Sequence, residues 1–189
     1  MMKRVRKGFT LVELLIVLAV LGTLSAMMTG ASSDAIDTST ASAILGNLRT
    51  LKAAAFEMYM EKPEVASTAT IGDSVNITAL GKTVAEILGE FVGKKSIGTN
   101  YHIIGSSKGW YVYYVLGADE NTNVRAKLKA KAEDAGLWAT TTAPAATATD
   151  SNNVTTEVDN CGFTVYYNDT DTFASEAAGS AVYIGLRVR

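Results

Sequence analysis

This chain has little of what enzymes and cross-linked secreted domains are built from. Its 189 residues include one cysteine, Cys161, and one histidine, His102. A single cysteine excludes an intramolecular disulfide and leaves the redox compartment unread. His102 has no second histidine and no cysteine near it in sequence, so it reads as a satisfied surface or core residue rather than a metal ligand. No Ser-His-Asp context, Gly-rich phosphate loop or metal-spaced cluster occurs, so neither catalysis nor a cofactor is expected. Charge is also sparse, at 19% of residues against 48% hydrophobic, which is globular rather than disordered. Proline is scarcer still, with two in all and none before Pro63.

What charge there is lies unevenly. Lys3, Arg4, Arg6 and Lys7 crowd the first eight residues with no acid among them. Without that leader the body is acidic, which argues against binding nucleic acid through bulk charge.

After the leader comes a long apolar run, KGFTLVELLIVLAVLG, interrupted by one acid, Glu13. From Phe9 to Met28 it is about 20 residues long, enough to span a bilayer as a helix. Its Leu, Ile, Val and Phe residues favour insertion by roughly 3 to 7 kcal/mol in total. A charge at the helix centre opposes this by about 3 kcal/mol, and less near the end where Glu13 lies. The segment is therefore expected to insert, with the basic leader in the cytoplasm and the body exported. A cleaved secretory signal fits poorly. Glu13 spoils its apolar core, and Leu24 is bulky where the cleavage region Thr23-Leu24-Ser25-Ala26 wants a small residue. An ordinary signal-anchor would tolerate Glu13 without using it.

The stretch Lys7-Gly8-Phe9-Thr10-Leu11-Val12-Glu13-Leu14-Leu15 closely resembles the N-terminal motif of type IV prepilins and pseudopilins. The resemblance is strong over about the first 35 residues. It implies that a prepilin peptidase cuts between Gly8 and Phe9 and that the new Phe9 amine is N-methylated, which keeps its charge. It also implies that the apolar helix serves first as a lipid-embedded anchor and then as filament core. Glu13 would pair with the Phe9 ammonium of a neighbouring subunit. Buried charges are costly alone, so a wrong register would strand two of them, and Glu13 is expected to select the axial position of each incoming subunit.

Gly22, Ala26 and Gly30 recur every four residues and so share one helix face, where small side chains allow close helix packing. Many family members have a helix-breaking proline here. This chain has none, so any loosening must come from the glycines, near Gly30.

Beyond the anchor, Ile44, Leu48, Leu51, Ala55 and Met58 step by four, three, four and three, with Phe56 and Tyr59 extending that face. This predicts one helix from Phe9 to Met60, about 78 Å long at 1.5 Å per residue, stopped by Pro63. Residues 64–82 read as a loop with one short strand. Thr83 to Val92 reads as a helix ended by Gly93. Tyr101 to Ile104 and Trp110 to Leu116 are a hairpin around GSSKG, and the second strand, apolar on both faces, is central. Asn121 to Ala135 reads as an exposed helix with Arg125, Lys127, Lys129 and Lys131 on solvated faces. Residues 139–157 form a low-complexity loop. Phe163 to Tyr167 and Ala181 to Val188 are further strands, the last with Val182, Ile184, Leu186 and Val188 on one side and Arg187 and Arg189 on the other. Asp169 and Asp171 are calcium candidates with an incomplete liganding pattern, and a turn is the competing reading. With no disulfide to staple the C-terminal region, burial of Cys161 beside Phe163 or a tight loop has to replace it.

The expected fold is α+β, a long N-terminal helix on a small antiparallel sheet of about four strands. Residues 1–8 would be the cleaved leader, 9–30 the anchor and filament core, and 31–189 the head, including the amphipathic half of the helix. The resemblance implies a structural subunit of a type IV pilus, a homopolymer. Its partners would be prepilin peptidase, an inner-membrane assembly platform with its ATPase, and membrane lipid before assembly. A type II secretion pseudopilin, or a membrane-anchored binding protein that never polymerises, are the alternatives.

Overall fold

A computed structural model describes residues 9–94, 97–106, 109–117, 122–145, 161, 163, 165–167 and 181–189, with only the backbone at 28–32 and 165–166. The first helix, α1, runs unbroken over Leu11–Glu61. It passes through Gly22 and Gly30 without a break, so the loosening expected near Gly30 is not present in this state. Pro63 lacks the N–H that would continue the helix and instead opens a one-turn helix, α2 (Pro63–Ala66).

The 64–82 stretch holds more structure than its composition suggests. After α2 come β1 (Thr70–Gly72), β2 (Asn76–Ile77) and β3 (Lys82–Thr83), the last two forming a separate small hairpin. Helix α3 (Val84–Val92) starts at a Thr83–Glu86 capping box and stops at Gly93, whose φ of 71° suits glycine. Then follow β4 (Tyr101–Ser106), β5 (Trp110–Leu116), α4 (Thr122–Ala130), α5 (Ala132–Ala135), β6 (Trp138–Thr140), β7 (Val165–Tyr166) and β8 (Val182–Arg187).

The main sheet has six strands, not four, in the order β1-β4-β5-β8-β6-β7, each neighbouring pair antiparallel. The extra strands, β1 and β6, are each three residues long, too short to show a period-two pattern. β6 also shows that the Thr/Ala-rich stretch is not loop from its start.

β5 lies inside the sheet between β4 and β8, as its two apolar faces required. Trp110, Val112, Tyr114 and Leu116 join Ile44, Leu48, Leu51, Ala55 and Met58 of α1 in the main core. Tyr111 packs on the other face with Ile104, Cys161 and Phe163. Cys161 and Phe163 are both fully buried, so packing holds these two residues where a disulfide is absent. The Tyr111 and Phe163 rings stack with centroids 4.8 Å apart. Gly185 makes this possible: a Cβ there would lie 3.2 Å from the Phe163 ring and 3.0 Å from Val112 O.

Three expectations need correction. Phe56 does not extend the buried face of α1. It follows Ala55 by 100° of helix rotation and is 49% exposed. The helix expected over 121–135 is exposed on one side only and is not continuous. It divides at Lys131, and Val124, Leu128 and Ala132 are buried with α1 in the core. Arg125 is buried too, donating to Leu116 O and Gly117 O, which end β5. The Lys127 ammonium meets Asp34 at 2.8 Å and that of Lys131 donates to Ser42 Oγ at 2.8 Å, so both tie α4–α5 to α1. Finally, β8 ends at Arg187, so its alternation does not reach Arg189. The Arg189 guanidinium lies over Tyr59, 4.5 Å from the ring centroid, and over Trp110 at 5.6 Å, on the α1 side of the sheet.

Candidate assembly site

The candidate assembly residues lie at the start of α1, and there the helix stands clear of the head. Phe9 is 90% exposed and Leu11 78%. Val12, Leu14, Leu15, Ile16, Val17, Leu18, Val20, Leu21, Leu24 and Met27 are all at least half exposed. An apolar surface this large and continuous is not left bare in water. It needs lipid or other helices around it.

Gly22 and Ala26 are exposed on this stretch, and a Cβ at Gly22 would meet nothing within 4 Å. The surface that these small residues open therefore faces outward, available to another helix. Gly30 continues the same helix. Its surroundings, like Gly8 and the leader, lie outside the described residues, and so do Asp169 and Asp171.

The structure joins Glu13 to a residue that the sequence reading passed over. Thr10 is the N-cap of α1, and its Oγ1 accepts the Glu13 N–H at 3.3 Å. Glu13 Oε2 accepts the Thr10 backbone N–H at 2.8 Å and the Thr10 hydroxyl at 2.7 Å. This is a capping box, satisfying the free N–H groups of the first turn. Its signal, Thr followed three residues later by Glu before an apolar run, stood in the sequence. Glu13 is thus held at the helix start by its own chain, close to Phe9. A carboxylate has about four lone-pair sites, so it retains capacity for a further donor.

Among the described residues no helix is long and apolar enough to cross a membrane. The apolar part of α1 whose side chains are described without interruption runs from Leu11 to Met27, short of the about 20 residues a span takes.

The other singled-out residues play structural parts. His102 Nδ1 meets Asp73 Oδ2 at 2.5 Å, and its ring stacks on Tyr113 with centroids 5.0 Å apart. Asp73 Oδ1 also accepts the Ile103 N–H at 2.8 Å, tying the turn after β1 to β4. No group of three or more potential metal ligands occurs among the described residues.

Residues 3–29 match the family model of the prokaryotic N-terminal methylation motif. No curated protein and no solved structure matches the chain.

Proposed function

We propose that this chain, which carries the prepilin-type signal shared by type IV pilins and pseudopilins, is a structural subunit of a type IV pilus. The observation that carries the reading is the pairing of that signal with an exposed apolar helical rod on a folded α+β head. Cleavage after Gly8 frees the Phe9 amine, and methylation keeps it cationic. Before assembly, Phe9 to about Met28 anchors the chain in the cytoplasmic membrane with the head exported. On assembly the rod moves from lipid into contact with other rods, so its apolar surface stays covered throughout. A prepilin peptidase, an assembly platform and an ATPase are the partners this life cycle requires.

Glu13 then has two tasks. Within its chain it closes the capping box. Between chains it offers the remaining lone pairs to the Phe9 ammonium of a neighbour. An unpaired buried charge is strongly unfavourable, so the pair selects the correct axial register among otherwise greasy surfaces.

Mass spectrometry of sheared surface filaments tests the reading. The expected result is this chain as an abundant component beginning at methylated Phe9. A chain that keeps its leader, or that occurs only as dispersed monomers in the membrane, overturns it. The signal is equally that of a pseudopilin, and recovery of the polymer only in the periplasm would favour that reading.

A further inference from the structure

Four charged side chains on the outward face of α1 have no partner among the described residues. Arg49, Lys52, Glu57 and Glu61 are all exposed, and none enters an ion pair or a side-chain hydrogen bond there. Their arrangement is ordered in two ways. Along the helix, both cations precede both acids. Glu57 lies about 12 Å beyond Arg49, and Glu61 about 14 Å beyond Lys52. Around the helix, Arg49, Lys52 and the half-exposed Phe56 step by three and four and follow one flank. Thr50, Glu57 and Glu61 step by seven and four and follow another, roughly a third of a turn away. Glu57 and Glu61 are also like charges at i,i+4, which is mildly unfavourable unless something answers them.

We propose that this face is a docking surface for a second copy of the same chain, offset by about 13 Å along the helix. Arg49 and Lys52 of one copy then meet Glu57 and Glu61 of the next, and a single offset satisfies both pairs. The two patches are unlike and sit on different flanks, so the contact is heterologous. Such a contact does not close on itself as a symmetric dimer does, and repeating it builds an open fibre. Exposed ion pairs add little affinity. Their effect is on register, because other offsets set like charge against like charge. The inference rests on the filament reading, in which the apolar rods supply the cohesion.

The test is charge exchange in the full-length chain, read as sheared filament against membrane-bound subunit. Wild type is scored first: absence of filaments, or a retained leader, counts against the filament reading itself. Given wild-type filaments, Arg49→Glu with Lys52→Glu, and separately Glu57→Lys with Glu61→Lys, should each cut filament yield about tenfold or more at unchanged membrane level. All four substitutions in one chain restore complementarity and should return the yield to within about twofold of wild type. Either pair assembling normally overturns the proposal. So does failure of the fourfold variant to recover, which would point to a different protein as partner. A second measurement places Lys52→Cys and Glu61→Cys in one chain. Oxidised filaments should then give a ladder of covalent multimers, with buried Cys161 silent. Filaments that give no ladder also overturn it.

Discussion

Glu13 Oε2 sits 2.8 Å from the backbone nitrogen of Thr10, the residue that begins the long helix. The acid that interrupts the apolar run is therefore first a helix cap. Capping and charge pairing can be separated by substitution. Glu13→Gln keeps an acceptor for the Thr10 N–H but removes the charge, whereas Glu13→Ala removes both. Both variants should reach the membrane at wild-type level and form no filaments. Filaments from Glu13→Gln would mean that the cap, not the charge, is what assembly requires.

Thr10→Ala makes the complementary change. It removes the side-chain acceptor of the Glu13 N–H while leaving the carboxylate. Loss of an N-cap is worth about 1 kcal/mol. Helix content of the detergent-solubilised chain should fall only slightly, by fraying of the first turn in circular dichroism. Thr10→Ser should be indistinguishable from wild type.

Gly105 is closely enclosed by its neighbours. A Cβ there would overlap the Trp110 ring and come within 2.7 Å of Ile71 Cγ1. Trp110 is 1% exposed and packs edge-on against Tyr59 at 5.0 Å, so it has nowhere to go. Gly105→Ala should lower head stability by about 1–3 kcal/mol, read from chemical denaturation followed by tryptophan fluorescence.

Tyr113 is pushed up to about 12 from the ordinary 10.0, first by burial and then by the negative charge of Asp73 and by Tyr183. Its folded pKa lies above its unfolded one, so the unfolded chain releases the proton first. The stability held below about pH 10 is lost as the pH rises towards about 12. Tyr113→Phe should reduce this alkaline loss, measured as the midpoint of denaturation against pH. An identical alkaline profile in the variant would assign the loss to other groups.

Arg189 joins the chain's C-terminal residues to α1 through the ring of Tyr59 and to β5 through that of Trp110. Arg189→Ala should destabilise the head by about 0.5–1 kcal/mol or more, and Arg189→Lys by less. Thermal denaturation of the two variants in parallel is the check.

The elements that could be read from the sequence are those whose pattern repeats. The steps from Ile44 to Met58 and the two apolar faces of Trp110–Leu116 both survive folding unchanged, because each repeat carries enough residues to fix its period. Three-residue strands such as Trp138–Thr140 have no period and exist only through their partners. Arg125 illustrates a different failure: its burial follows from the end of β5, which supplies carbonyls that no local pattern foretells. Phe56 lies one step around the helix from the buried face, a position that apolar character alone does not reveal. At the candidate assembly site, Gly8, Phe9 and Glu13 stand out by motif, and Thr10 is equally visible through its capping signature. The charged flanks of α1 needed the structure, since only the packed head tells which helix faces remain outside.

The sheet order has a consequence for how the molecule is made. β8 lies between β5 and β6, yet it follows both in the chain. Until those residues are made, β5 has no neighbour on that side and the core against α1 is open. Long-range pairings of this kind form slowly. The head therefore completes its core only when the strand that joins its two halves is available, and that strand is among the last residues to be made.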